Sequence, residues 1–469
     1  MAATNRDEGR LIFVHVLHAI HDFPPRHVAG SELHALALAR EQSVRHDVTV
    51  LCAAYDPSRA HGHVTWRVQQ GVPVVEIVNN WKCATFEETY RAPLILDRIR
   101  HVLRTIRPDV VHVHSLLNLS FDLPSVAKDL GIPVVATLHD YSLVCASGGQ
   151  LVYQAERHVC RNIDSARCAR CFTASPFYAQ TALAGMTKGP AGDILNRAAV
   201  AVRRALPSVA VRASQAARYV GMRVSPQDLE RRLRAARDVF HEIDLFVSPS
   251  APLARDFERF GLPPERLRVS DYGMPALARV PRRAAGQPIV FGFVGMLVWH
   301  KGAHVLIEAA KTLPAGTFEV KIFGSAGTFP DYVGGLRKAA DALPVSFMGA
   351  FPPDQAAAVY GQMDVLVVPS IWPENSPIVI HEAFQAGVPV VGARTGGIPE
   401  LIDDGVSGYT YDPSSPQDLA RILRALIDDP ARVRALSAGV PPVKTMSRHA
   451  CEWDAFYAEA CALRAARTA

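Results

Sequence analysis

Twice along this chain, short apolar runs bounded by turn residues alternate with segments of helical spacing. That double alternation restricts the fold more than any other feature. The first series reads "RLIFVHVLHAI", "HDVTVLCA", "VPVVEIV", "PDVVHVHS" and "IPVVATLHD". The second reads "IVFGFVG", "FEVKIFG", "VSFMGA", "DVLVVPS" and "VPVVGA", with stretches such as "HVLIEAAKTL" and "PIVIHEAFQAG" between them. Runs apolar on both faces are strands covered on both sides, and strands alternating with helices form parallel sheets. The predicted fold class is α/β: two Rossmann-like, doubly wound parallel-sheet domains facing each other across a cleft. Such sheets place ligands beyond the carboxyl ends of their strands.

The rhythm breaks in three places. Residues 141–240 form a cysteine-containing excursion within a first domain over 1–280. "PALARVPRRAAGQP" has no periodicity and reads as a linker. A second domain then spans 281–446, and 447–469 ("ACEWDAFYAEACALRAA" within it) is a helix expected to pack back on the first domain. A chain of 469 residues, 49% hydrophobic, favours two domains over one.

The net charge of +5 is too mild for a nucleic-acid binder. The excess is uneven: ten arginines stand against four acids between Asp193 and Asp238. The ordinary reading of those basic helices is a solvated face; the alternative is contact with an anionic membrane surface or an acidic acceptor. No run approaches the ~18 apolar residues of a membrane span, and histidines interrupt the first apolar stretch. A cytoplasmic protein is predicted, with the basic helices as its means of peripheral contact with the inner membrane face.

The segment "WPENSPIVIHEAFQAGVPVV" carries the strongest chemical signal. A strand ends at Ser370, and a helix can start at Asn375 or Ser376 with Pro377 in its first turn. The free N–H groups of such a start attract phosphate. Glu374 lies in the loop just ahead, and Glu382 lies nearly two turns inside the helix. Two surface glutamates on a capped helix would look the same in isolation. If the ligand is a nucleotide sugar, Glu374 suits sugar hydroxyls and Glu382 suits the vicinal hydroxyls of ribose.

The neighbouring residues add a resemblance. "PENSPIVIHEAFQAGVPVVGARTGGIPELIDDGVSGYTYDP" resembles the signature region of retaining GT-B glycosyltransferases of family four, the "glycosyl transferases group 1" domain. "GSELHALALA", "PDVVHVHS", "IPVVATLHD" and "FGFVGMLVWHKGAHVLIEA" are similar to further parts of that family in the same order. The resemblance implies a GT-B fold and a retaining glycosyltransferase that moves a sugar from a nucleotide-diphosphate sugar to a glycan, lipid-linked or small acceptor. It also implies residue roles. Glu374 contacts the donor sugar at the reacting centre, Glu382 binds ribose, and the backbone around Ser376, Pro377 and Ile378 lines the diphosphate. Lys301 neutralises the leaving diphosphate, and His139 touches the donor sugar. Gly30 lets the backbone approach the diphosphate, and Gly324 gives room for the nucleotide. Met296 departs from the pattern where an arginine is usual, which leaves His300 or Arg394 as substitutes, or a weakly active glycosyltransferase-like binding subunit. No Asp-x-Asp triplet occurs, so transfer is expected to need no metal.

Cys145, Cys160, Cys168 and Cys171 fall within one loop. The two-residue gap between the last pair suits a structural four-thiolate zinc site, and four reduced thiols fit the same spacing.

Overall fold

The computed structural model describes residues 13–186, 222–278 and 288–468. Most of the expected linker, and residues 193–221 of the basic stretch, lie outside the described residues.

Among the described residues, ten strands precede the expected linker. They are β1 (His15–Ile20), β2 (Asp47–Ala54), β3 (Val64–Gln69), β4 (Val72–Val78), β5 (Val110–Val113), β6 (Val134–Thr137), β7 (Val152–Tyr153), β8 (His158–Val159), β9 (Leu245–Ser248) and β10 (Leu267–Val269). Eight of them form one sheet in the order β10-β9-β6-β5-β1-β2-β4-β3. Every pair is parallel except β3 on β4. The edge strand β3 escaped the sequence reading because "VTWRVQ" alternates apolar and polar residues and leaves Trp66 and Val68 exposed. β7 and β8 make a separate hairpin inside the cysteine excursion.

Six more strands follow the linker: β11 (Ile289–Val294), β12 (Phe318–Phe323), β13 (Val345–Gly349), β14 (Val365–Val368), β15 (Val390–Ala393) and β16 (Gly408–Tyr411). Their order is β13-β12-β11-β14-β15-β16, all parallel. The central strands of both sheets are buried end to end, as their uninterrupted apolar runs require.

In each sheet the chain winds outward on one side, then restarts beside its first strand. The reversals fall between β1 and β5 and between β11 and β14. Loops diverge at such points and open a crevice at the strand ends. The helix Met446–Thr468 then returns to the first sheet: Trp453, Tyr457, Ala450 and Ala460 pack on Val16, Val110, Val135 and Leu245. Its path is set by Met274, whose N–H donates to Lys444 O and whose carbonyl accepts from Met446 N–H.

The basic sequence "LERRLRAARD" lies on the helix Pro226–Glu242, held at its start by a capping box between Ser225 and Asp228. Arg232 on that helix is buried and donates to the carbonyls of Ser142 and Leu143. Part of the charge excess therefore braces the excursion from inside.

Candidate active site

The two loops at the second reversal supply the first pair of groups. The loop after β11 ends in a tight turn, Trp299–Lys301, closed by Gly302 in the left-handed conformation at φ 75°. A Cβ on Gly302 would stand 1.8 Å from Pro369 O, so glycine alone allows this turn to sit on the next loop. The loop after β14 brings Glu374 opposite. Lys301 Nζ lies 2.7 and 2.9 Å from the two Glu374 carboxylate oxygens, and Ser370 Oγ donates to the same group at 2.5 Å. Glu374 is only 6% exposed and Lys301 28%. Burial pushes the Glu374 carboxyl up, but the Lys301 ammonium and the Ser370 hydroxyl outweigh it and hold it below its ordinary range. Lys301 also sits 5.3 Å over the ring of Trp372.

The helix beyond begins later than the sequence suggested. Pro377 is its N-cap and Ile378 its first residue, because Ser376 is drawn aside: its hydroxyl donates to Asp271 at 2.6 Å and lies 2.9 Å from His381 Nε2. The N–H groups of Ile378 and Val379 find no acceptor among the described residues. Glu382, in the second turn of this helix, accepts from Tyr360 Oη at 2.7 Å, and burial raises its carboxyl above the ordinary range. Glu374 and Glu382 therefore belong to separate hydrogen-bond sets on either side of the helix start.

Across the cleft the helix Gly30–Gln42 also presents its N-terminus. A Cβ on Gly30 would lie 3.2 Å from Ile378 Cδ1, so the two helix starts abut. Asn375 Nδ2 donates to the backbone carbonyl of His139, at the end of β6. The His139 ring is fully engaged elsewhere: Nδ1 lies 2.8 Å from Tyr272 Oη and Nε2 lies 2.9 Å from His114 Nδ1. Burial drives this imidazole down to about 3. It is neutral, with no ring nitrogen left over for a sugar.

Several sequence readings need correction. Gly324 makes room for the chain itself, since a Cβ there would stand 2.1 Å from Gly295 O. His300 is no stand-in for the missing arginine: it is buried, its Nδ1 meets Gln154 Nε2 at 2.7 Å, and burial lowers it to about 4. Arg394 turns to Thr410. The four cysteines share one neighbourhood but are not gathered as metal ligands. Among the described residues, the groups of three convergent ligand atoms consist of His and Glu alone. Cys168 and Cys171 lie within a regular helix, Ser165–Ala174, where residues three apart stand about 5–6 Å apart at Cβ. Burial pushes the Cys168 thiol up to about 12 and the Cys171 thiol up to about 11.

The sequence reading missed Ser370, Asn375, Tyr360 and Tyr272, which complete the site. Gly396 and Gly397 lie directly against the Glu374 loop. Their added Cβ atoms would meet Glu374 O at 2.1 Å and Asn375 O at 1.9 Å, and Gly397 N–H donates to Glu374 O at 2.7 Å. The glycine pair is the bed on which the Glu374 loop rests.

Residues 277–440 match the family described as "Glycosyl transferases group 1", and residues 28–191 match "Glycosyltransferase Family 4". The chain is 31% identical over 263 residues to D-inositol 3-phosphate glycosyltransferase of Corynebacterium aurimucosum, covering 51% of this chain and 62% of that protein. It is 31% identical over 194 residues to the putative colanic acid biosynthesis glycosyltransferase WcaL of Salmonella typhimurium, covering 39% and 48%. The chain thus spans less than two thirds of the length of these curated relatives. Among solved structures, Anabaena Alr3699/HepE in complex with UDP-glucose superposes with a TM-score of 0.57 at 17% identity, over 96% of this chain and 98% of that one. Sucrose-phosphate synthase from Thermosynechococcus elongatus gives 0.61 at 15% identity, over 97% and 98%. Two matched halves, in order, on two facing parallel sheets make this chain a member of the glycosyltransferases group 1, family four, with the GT-B fold.

Proposed function

We propose that the protein transfers a sugar, with retention, from a nucleotide-diphosphate sugar to an acceptor hydroxyl in polysaccharide or glycoconjugate assembly. One observation carries the reading: a buried carboxylate, Glu374, is locked to Lys301 beside two abutting helix N-termini. Helix starts attract a diphosphate, and a preorganised carboxylate–ammonium pair suits a reaction in which charge separates at one bond.

In this reading the diphosphate lies against the N–H groups of Ile378 and Val379 and close to Gly30. Lys301 steadies the negative charge that grows on the leaving diphosphate. Glu374 accepts from donor-sugar hydroxyls and faces the positive charge that develops at the anomeric carbon. The acceptor hydroxyl attacks from the face the diphosphate vacates and passes its proton to the leaving phosphate oxygen. Glu382, already held by Tyr360, accepts from ribose. His139 acts through its position and its carbonyl, because both ring nitrogens are occupied. The relatives' curated names point to small phosphorylated and polysaccharide acceptors alike, so the acceptor class is kept at a hydroxyl of a glycan, lipid-linked carrier or small molecule.

Binding of UDP, GDP and ADP sugars, followed by turnover with Glu374→Gln, tests the reading. Glu374→Gln keeps the shape but loses the charge, and kcat is expected to fall about 10²–10³-fold with donor affinity nearly retained. Full turnover by a folded Glu374→Gln variant would overturn the assignment.

A further inference from the structure

A line of buried histidines behind His139 has no part in the reaction as described. His139 Nε2 meets His114 Nδ1 at 2.9 Å, His114 Nε2 meets His18 Nδ1 at 2.9 Å, and His18 Nε2 meets Gln42 Oε1 at 2.8 Å. Gln42 Nε2 donates to Tyr457 Oη at 2.9 Å, and that hydroxyl meets His112 Nδ1 at 2.9 Å. His112 Nε2 lies 2.8 Å from Thr137 Oγ1. At the cleft end, Tyr272 Oη closes on His139 Nδ1.

Proton counting makes this line a single unit. A neutral imidazole has one N–H and one lone pair, so each nitrogen–nitrogen contact holds one proton. Burial drives His18 down to about 4 and His112 and His114 well below their ordinary value, so the rings are neutral. With the Gln42 oxygen toward His18, His18 donates from Nε2 and must accept at Nδ1. His114 then donates from Nε2 and accepts at Nδ1, and His139 does the same, which leaves its Nδ1 to accept from Tyr272 O–H. The amide of Gln42 thereby sets the tautomer of three rings in sequence.

Two other readings fit less well. His18, His112 and His114 converge closely enough for a metal ion, yet all six of their ring nitrogens already have hydrogen-bond partners. A proton conduit needs an outlet, but the line returns to β6 at Thr137, and His18, Gln42, His112, Thr137 and Tyr457 are all buried. What it does is hold.

We propose that Gln42 and Tyr457 are positioning residues which, through His18 and His114, fix the tautomer and ring plane of His139 and so make the C-terminal helix part of the reacting centre. The proposal rests on the transferase reading only for what His139 serves, not for the order of the hydrogen bonds.

The test has two arms. In ¹⁵N-histidine NMR of the full chain, His18, His114 and His139 are expected to show Nε2–H and bare Nδ1. A mixture of tautomers, or an imidazolium among the three at pH 7, overturns the relay even if no sugar is transferred. In the second arm, Tyr457→Phe removes one hydroxyl and leaves the ring to pack. The His139 resonances are expected to shift, and kcat to fall about tenfold, with donor KM within about twofold, the scale of one lost hydrogen bond. His114→Leu is expected to lose at least as much. His114→Gln, whose amide also accepts on one side and donates on the other, is expected to recover most of that loss. Unmoved His139 resonances in folded Tyr457→Phe, or equal loss in His114→Gln and His114→Leu, would sink the proposal.

Discussion

Lys301→Met isolates the physics of the site. The substitution keeps most of the side-chain volume over Trp372 and removes the cation that, among the described residues, pairs with Glu374. Exposed ion pairs are worth about 0–1 kcal/mol, whereas breaking a buried pair costs about 3–5 kcal/mol. At 6% and 28% exposure this pair falls between those limits, and about 2–3 kcal/mol is expected. A double-mutant cycle separates it from lost packing, since Lys301→Met in a Glu374→Gln background leaves no buried charge unpaired. The pH dependence gives the sign. In the parent the folded carboxyl lies below its ordinary 4.5, so its contribution is present above that value and is lost as pH falls through the folded pKa. In Lys301→Met, burial acts without the ammonium and raises the folded carboxyl. The deficit therefore opens as pH rises through the ordinary carboxyl range and closes in acid. Thermal melts from pH 4 to 8, with Trp372 fluorescence as the local probe, should show a gap of about 4–12 °C at pH 8 that shrinks toward pH 4. A coupling below about 0.5 kcal/mol, or a gap that does not change with pH, would refute the claim that Glu374 is a charged, preorganised carboxylate.

Tyr360→Phe removes the hydroxyl that holds Glu382; donor KM, measured by initial rates, should rise about fivefold with kcat within about twofold. Gly397→Ala forces a Cβ onto Asn375 O and should displace the Glu374 loop, costing about 3 kcal/mol or more and nearly all turnover, read by melting and activity together. Metal analysis of the protein purified without chelator, repeated on Cys168→Ser, checks the excursion: sulfurs that do not converge in threes on one point predict substoichiometric zinc in both. Stoichiometric zinc lost only in Cys168→Ser would show that the four sulfurs close on a metal.

The two-sheet architecture was legible because buried parallel strands must be apolar on both faces, so "DVLVVPS" or "IPVVATLHD" announces itself. β3 was missed because it alternates apolar with polar residues, and β16 because "GYTY" holds no apolar run. Within the site, Glu374, Glu382 and Lys301 were readable through one motif and one family resemblance. Ser370, Tyr360 and Tyr272 were not, because a hydroxyl that completes a carboxylate or imidazole carries no spacing rule.

What the sequence by itself determined is the local chemistry: which segments bury both faces, which of them turn helical, and which carboxylates stand near those turns. Only the tertiary structure decided which groups meet. Asp271 pulls Ser376 out of the helix and shifts its start to Ile378. Tyr272 and His114 take both nitrogens of His139, and a helix almost at the end of the chain reaches the first strand through Gln42 and Tyr457. Periodicity reports the burial of one segment at a time, whereas a hydrogen bond between residues 42 and 457 exists only after the sheets have packed.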